Sequence, residues 1–491
     1  MKKTFLSVDL GAGSGRVIAA IYDGAKITME PVTRFENTPV ELGGHIYWNV
    51  PSLISNIRKG LSAAREKYGE ISAVGVDTWG VDYALLDRSG RMLSLPYAYR
   101  DVRNSAENMD AVLEKLGARE LYNTTGIQFM AINTLFQLHA EKAEKDSLLS
   151  QADKLLFMPD LINYLLCGEK ANEMTIASTS QMIDVNTRDW AFDLIEKCGI
   201  SKSLLSTPVK PGTMLGKVRG VRGLEGVPLA VVGSHDTASA VASVPSDAGS
   251  SWGYLSTGTW ALLGVETEKP VLSDLSYNLL YTHEGAVNGN FRYLKNCTGM
   301  WIVQELRRAW SEGGKAPEFD DLMREAQQAE PFKFLIDPDY SEFQSPGRMP
   351  EKIAEYCTAT GQPAPQTKGE FYRAAMESIV MRYREVWGEL KELTGVERDV
   401  LHMIGGATKD EMHCRMTTDA LGVHVATGPA EGASMGNALA QMLATGDIGS
   451  FEEGRQLIRD SIDLEDWQPE NLEQWDEAFA KWQGCREKAG N

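Results

Sequence analysis

The sequence predicts an α/β protein made of two similar domains, residues 1–247 and 248–491, with an active-site cleft between them. Three observations carry that expectation. A strand–turn–strand stretch, "SVDLGAGSGRVIAAIYD" (7–23), returns in kind as "WGYLSTGTWALLGVE" (252–266). Each is followed by buried strands and helices, the mixture that places helices on a sheet. The chain's 491 residues exceed what one hydrophobic core serves, and 43% hydrophobic with 24% charged content is that of an ordered globular chain. A repeated grammar without a repeated sequence is what two related domains leave behind.

The opening stretch sets the first element. A glycine-rich turn after an apolar run points to phosphate, but two familiar loops fail. A Walker loop needs Lys-Ser or Lys-Thr after its last glycine, and Gly15 is followed by Arg16 and Val17. A dinucleotide fingerprint starting at Gly11 needs glycine at position 16, which is arginine. Both also require a helix after the turn, whereas Val17–Tyr22 is β-branched and apolar and reads as a second strand. "KITMEPVTRF" (26–35) alternates as a third strand. "PSLISNIRKGLSAAREKYG" (51–69) places Pro51 at the first helical position and Leu53, Ile54, Ile57 and Leu61 on one face. "ISAVGVDT" (71–78) is a buried strand ending near Asp77. "VPLAVVGSHDTASAVASVP" (227–245) gives strand, sharp turn and a helix of small residues ended by Pro245. In the second half, residues 400–429 supply strand, Gly-Gly turn, helix and short strand, and 431–446 a further helix. Trp475, Phe479 and Trp482 fall at helical spacing and read as core.

Bulk properties narrow the partners. A formal charge of -19 argues against a nucleic-acid surface and an anionic-membrane surface. It leaves room for an anionic ligand, which backbone amides and a metal ion hold inside acidic proteins. Six scattered cysteines without a CxxC pair fit a reduced cytoplasmic protein. No apolar run approaches the about 18 residues of a membrane span, and the first residues do not form a signal peptide. The seven histidines show no metal-ligand spacing, and His413-Cys414 reads as structural. No motif sets the oligomeric state, monomer or dimer.

Two acids stand out before any family is considered. Asp236 in "GSHDTASAV" sits between a buried strand and a helix start. The helix dipole there favours an ionised carboxylate at neutral pH, able to accept a hydroxyl proton. The plainer alternative is an N-cap. Asp9 ends the first strand beside the glycine turn, where it either holds Mg²⁺ through its waters or ties the turn to itself. Arg16 is the one cation beside that turn, and either meets a phosphate or projects into solvent.

The ordered set "VDLGAGSGR", "VDTWGVDYALLD", "AYRD", "GIQF", "MPD", "GSHDTASAV", "LSTGTW", "KNCTGMW" and "GPAEGASMGN" resembles the FGGY-type carbohydrate kinases, from about residue 4 to about 446. Where many members carry a Lys-x-Trp signature this chain has "AINTLFQLHA" (131–140), a deviation shared by the branch that acts on L-rhamnulose. The resemblance implies a duplicated ribonuclease-H-like, actin-like ATPase fold. It also implies MgATP as co-substrate and phosphorylation of L-rhamnulose at its 1-hydroxyl, giving L-rhamnulose 1-phosphate and ADP in L-rhamnose catabolism. The alternatives are a sister kinase for another ketose or polyol, such as L-fuculose or xylulose, an actin- or Hsp70-like nucleotide switch, or an inactive sugar sensor. By the same resemblance Asp236 is the general base, and Gly80, His235, Asp236, Thr237 and Asn296 contact the sugar. Ala12, Gly13, Ser14, Gly15, Arg16, Thr259 and Gln304 contact the nucleotide phosphates, and Gly405 and Gly406 the adenine side. Trp79 and Asp82 are expected near Gly80. The adenine turn departs from the family at Ala407, where a third glycine is usual.

Overall fold

The computed structural model describes residues 2–247, 249–311 and 314–490. In chain order the elements used below are β1 (Lys3–Leu10), β2 (Ser14–Tyr22), β3 (Ile27–Glu36), α1 (Val50–Tyr68), β4 (Ala73–Thr78), β5 (Thr213–Lys217), β6 (Pro228–Val231) and α2 (Asp236–Ala242). They continue with β7 (Trp252–Thr257), β8 (Trp260–Thr267), β9 (Thr282–Gly285), β10 (Phe291–Thr298), α3 (Trp301–Ser311) and α4 (Lys368–Thr394). The last are β11 (Val400–Ile404), α5 (Glu411–Leu421), β12 (His424–Thr427), α6 (Gly432–Thr445) and β13 (Glu465–Trp467).

The chain divides into two compact units. The first comprises Met1–Ala248, Glu266–Leu294 and Glu431–Ile462, and the second Gly249–Val265, Lys295–Ala430 and Asp463–Asn491. The first segment thus ends beside the break expected at 247/248, and two later segments return to the first unit. Its sheet runs β5-β6-β4-β1-β2-β3. β1 lies at its centre, antiparallel to β2 and parallel to β4. Its buried run from Thr4 to Leu10 is what a strand covered on both faces requires. The parallel step from β1 to β4 is bridged by β2, β3 and the amphipathic α1, which buries Leu53, Ile57, Leu61 and Ala64. The Asn49 side chain accepts from the Ser52 N–H, so α1 starts at Val50 and Pro51 takes the second helical position, one later than expected.

In the second unit β8, β7, β11, β12 and β13 are neighbours in that order. β7 is antiparallel to β8 and parallel to β11, the same local pairing as β1 with β2 and β4. The strand–turn–strand grammar is therefore present twice. Trp475 and Trp482 are buried and Phe479 stacks on Trp482, so the aromatic stripe of the tail is core.

Candidate active site

The site of the first unit grows from the β1–β2 hairpin. Register places Asp9 opposite Arg16 and Leu10 opposite Gly15. The turn closes with the Gly11 N–H donating to the Ser14 carbonyl at 2.8 Å. Asn37 braces it, donating Nδ2–H to the Gly11 carbonyl at 2.9 Å and its backbone N–H to the Gly13 carbonyl at 3.2 Å. A Cβ on Gly15 would come within 2.4 Å of the Phe35 ring, so packing alone demands that glycine, while a Cβ on Gly13 would meet nothing within 4 Å.

Arg16 neither projects freely into solvent nor stands alone. Its Nε and Nη2 donate to Asp9 Oδ2 at 3.0 and 2.8 Å, and Nη1 pairs with Glu431. The Ser434 hydroxyl, on α6, donates to the same Asp9 oxygen at 3.0 Å. Asp9 also lies beside Asp77 in the parallel register of β1 and β4. Asp77 accepts from Asn437 Nδ2 at 2.5 Å, and its buried Oδ1 has no hydrogen-bond partner. Burial first, and the Asp9 charge second, push the Asp77 carboxyl well above the usual carboxylate range. Asp9, Asp77, Glu431, Ser434 and Asn437 thus form one polar seam around Arg16, and four of these were not site candidates from sequence. Asp77 was visible there only as an acid ending a buried strand, and the others only as Glu431, Ser434 and Asn437, three apart at the start of a largely small or apolar helix.

The second cluster centres on Asp236. The turn before α2 is held to β4, the Thr78 N–H donating to the Ser234 carbonyl at 2.9 Å. From the other side Glu173 accepts the Ser234 N–H at 3.2 Å, and Thr175 Oγ1 accepts the His235 N–H at 3.2 Å. His235 is the N-cap and Asp236 the first helical residue, so Asp236 does not cap the helix, which ends at Ala242 before reaching Pro245. Asp236 Oδ1 accepts from the Thr237 N–H at 2.6 Å and its hydroxyl at 3.1 Å. His235 Nε2 lies 3.6 Å from Asp236 Oδ1. A Cβ on Gly80 would stand 3.5 Å from that same Nε2. Gly80, His235, Asp236 and Thr237 are therefore brought together. Beside Gly80, Val81 takes φ 67°, a conformation that a β-branched residue adopts only under constraint. Thr179 and Thr134 supply that constraint, accepting the Val81 N–H at 3.1 Å and donating to its carbonyl at 2.6 Å.

The Asp236 side chain retains 31% exposure, so its carboxylate is reachable. The electrostatics oppose the expected effect of the helix dipole. The helix dipole was to favour the ionised form, yet the pKa is raised. Surrounding protein atoms raise it most, His235 opposes them, and Asp9 adds to the rise. A seven-residue helix offers too little dipole to offset that desolvation.

Trp79 is core, not a face for a ligand. Its ring lies 4.1 Å from that of Trp48. Both indole N–H groups donate to Asp82 Oδ2, at 3.0 and 2.6 Å, and Gln137 donates to Oδ1 at 2.9 Å. Burial still lifts the Asp82 carboxyl to about 6.

In the second unit the β7–β8 turn closes with the Gly258 N–H donating to the Trp260 carbonyl at 2.9 Å. α3 starts against it, the Met300 N–H reaching the Gly258 carbonyl at 3.0 Å and the Trp301 N–H the Thr259 carbonyl at 3.2 Å. Thr259 Oγ1 donates to Gln304 Oε1 at 3.2 Å, so these two candidates meet. Asn296 lies half-buried on β10. Gly405 has φ +98°, and a Cβ there would come 2.6 Å from the Thr257 carbonyl oxygen. A Cβ on Gly406 would meet nothing within 4 Å, so nothing in the fold demands its lack of a side chain. His413 and Cys414 are buried in α5, as structural residues should be.

Among the described residues no group of three or more His, Cys, Asp or Glu side chains is arranged as a ready metal cage. Mg²⁺ does not need one, because it keeps most of its waters and takes one or two carboxylates. The hard-oxygen donors Asp9 and Asp77, with the unpartnered Asp77 Oδ1, fit that ion. Nor, among the described residues, is any helix long and apolar enough to cross a membrane.

The chain is a carbohydrate kinase and belongs to the FGGY family of these enzymes. The family's N-terminal domain model matches residues 4–242 and its C-terminal domain model residues 253–445. Among curated proteins it is similar to the rhamnulokinase of Bacteroides thetaiotaomicron, 38% identical over 489 residues, covering 99% of this chain and 100% of that protein. The rhamnulokinase of Enterococcus faecalis is 35% identical over 475 residues, 95% of this chain and 94% of that protein. Of solved structures, ligand-bound xylulose kinase from Lactobacillus acidophilus superposes with TM-score 0.80 at 16% identity, covering 99% of this chain and 98% of that one. Plasmodium falciparum glycerol kinase with ADP gives TM-score 0.78 at 16% identity over the same shares. These two share the two-domain α/β fold.

Proposed function

We propose that the chain catalyses ATP-dependent phosphorylation of L-rhamnulose at its 1-hydroxyl, giving L-rhamnulose 1-phosphate and ADP in the cytoplasm. The observation that carries the reading is the convergence of Gly80, His235 and reachable Asp236 in a chain alignable end to end with rhamnulokinases. Asp236 accepts the proton of the hydroxyl as its oxygen attacks the γ-phosphorus. A carboxylate whose pKa is raised is a better base once ionised. His235, Thr237 and the backbone at Gly80 hold the sugar, and Val81's constrained conformation keeps that backbone approachable. In the second unit Asn296 is assigned to the sugar.

Ala12 to Gly15 present backbone N–H groups to phosphate oxygens, and Arg16, anchored by Asp9 and Glu431, lends positive charge beside them. Thr259 and Gln304 take the phosphate side of the nucleotide and Gly405 and Gly406 its adenine side. The free space at Gly406 supports that last assignment. Asp9, with Asp77 beside it, would hold Mg²⁺. That ion, when bound, offsets the charge of the triphosphate. Six free cysteines, all buried and none paired, suit a reducing compartment.

The test is purified protein with MgATP and a panel of L-rhamnulose, L-fuculose, xylulose and related polyols, with ADP release followed and the phosphorylated carbon assigned by NMR. L-Rhamnulose should give the highest kcat/KM and a 1-phosphate. Turnover of another sugar with none of L-rhamnulose sinks the specific reading.

A further inference from the structure

Behind His235 lies a buried charge pair that none of the roles above uses. Glu284 and Arg292 face each other across the β9–β10 hairpin. The Arg292 side chain has 0% exposure, and its Nη2 donates to Glu284 Oε2 at 2.7 Å. Its Nε donates to the Gly285 carbonyl at 3.1 Å. A buried ion pair stabilises a fold no better than a well-packed apolar pair of similar volume, so packing alone does not account for it. Burial opposes ionisation of Glu284, but the Arg292 guanidinium beside it outweighs that and pulls its carboxyl below the usual carboxylate range.

The pair ends at His235. Arg292 Nη2 carries two hydrogens and has two acceptors in reach, Glu284 Oε2 at 2.7 Å and His235 Nδ1 at 3.0 Å. Glu284 Oε2 also stands 3.1 Å from His235 Nδ1 as an ion-pair contact, but the hydrogen bond directed at that nitrogen is the one from Arg292. The guanidinium is always protonated and offers no lone pair, so the ring nitrogen is the acceptor. The proton of a neutral imidazole then sits on Nε2, the nitrogen beside Asp236 Oδ1 and the space at Gly80.

We infer that Arg292, oriented by Glu284 and the Gly285 carbonyl, is a positioning residue that holds His235 in its Nε2–H tautomer. His235 thereby offers a hydrogen-bond donor to one sugar oxygen beside Asp236, the acceptor for another. A donor and an acceptor side by side match adjacent oxygens of a ketose. The inference rests on the sugar-kinase reading for the substrate, but not for the tautomer.

The experiment is NMR of the full chain with ring-labelled histidine, His235 being assigned by the signal lost in His235→Gln. Ring nitrogen shifts of the wild type should show Nε2–H, and a dominant Nδ1–H tautomer overturns the inference. This holds whether or not L-rhamnulose is turned over, so failure of the function and failure of the tautomer are read separately. Arg292→Met alone strands Glu284 in the interior. The neutral double variant Glu284→Gln/Arg292→Met is therefore the kinetic test. It should lose the tautomer preference and raise the sugar KM about tenfold, the scale of one hydrogen bond, with the ATP KM unchanged. Retention of the Nε2–H tautomer, or a sugar KM within about twofold of wild type, overturns it.

Discussion

At the scale of single residues, two side chains carry separable predictions. Asp236→Asn keeps the shape and the bonds from Thr237 but loses the proton acceptor. Sugar phosphorylation should fall by about 10²–10⁴-fold, the usual contribution of a general base, while MgATP still binds with unchanged affinity by calorimetry. A rate near wild type removes Asp236 from that role. The other residue is His283, which the sequence offered only as one histidine among seven. It donates Nδ1–H to the Gly126 carbonyl at 2.9 Å, accepts the Val271 N–H at Nε2 at 2.8 Å and stacks 4.5 Å from Tyr293. Both ring nitrogens are used by the neutral form, and burial lowers the pKa to about 4. The unfolded chain takes up this proton near pH ~6.5 and the folded chain does not. Its contribution to stability is thus complete above that pH and is lost as pH falls toward 4, by on the order of 3 kcal/mol. Urea unfolding at pH 7.5 and 4.5 should show His283→Gln less stable at the higher pH and flatter between the two. An unchanged slope refutes the assignment.

At the scale of elements, the packing of α6 explains why "EGASMGNALAQ" is so small. A Cβ on Gly436 would stand 1.8 Å from the Ser239 carbonyl oxygen of α2, and one on Gly432 3.1 Å from Ser243 Oγ. A Cβ on Gly75 of β4 would strike Asn437 Oδ1 at 2.5 Å. The helix therefore lies close enough to α2 and the sheet for Ser434 and Asn437 to reach Asp9 and Asp77. Gly436→Ala should cost about 3 kcal/mol through overpacking against backbone and weaken nucleotide binding with it. Gly388→Ala, exposed in the middle of α4 with nothing within 4 Å of a new Cβ, is the control. It should gain about 0.5–1 kcal/mol. Thermal melts distinguish the two, and equal effects reject the close-approach account. The helices themselves were legible, because apolar spacing and glycine stops are local. Their crossing was not, because small residues mark a close approach without naming the partner.

At the scale of the whole molecule, the same division decides what sequence reading reaches. Both hairpins, the strands β4 and β11, and Asp236 at a helix start were legible, since each lies within one short stretch; the parallel pairing of β4 with β1 and of β11 with β7 was not. The polar seam was not. Ser434 meets Asp9 across 425 positions and Asn437 meets Asp77 across 360, and no periodicity spans such distances. The chain path has the same property, as the first unit is completed by Glu266–Leu294 and Glu431–Ile462. One core cluster joins Phe5, Ala20, Ala73 and Val232 to Met435, Ala438, Leu439 and Met442 of α6. A fragment ending at residue 247 would expose that apolar surface and leave Asp77 without Asn437 and His235 without Arg292. Removing one helix that buries three large apolar side chains, Met435, Leu439 and Met442, forfeits about 1.5–3 kcal/mol for each, a sum comparable to the about 5–15 kcal/mol that keeps a domain folded. The 1–247 fragment should therefore aggregate or show the broad, poorly dispersed NMR spectra of a molten state. A fragment of 1–294 joined by a flexible linker to 431–462 should recover cooperative unfolding. Cooperative unfolding of the 1–247 fragment alone would show that the returning segments are accessories and not part of the unit's core.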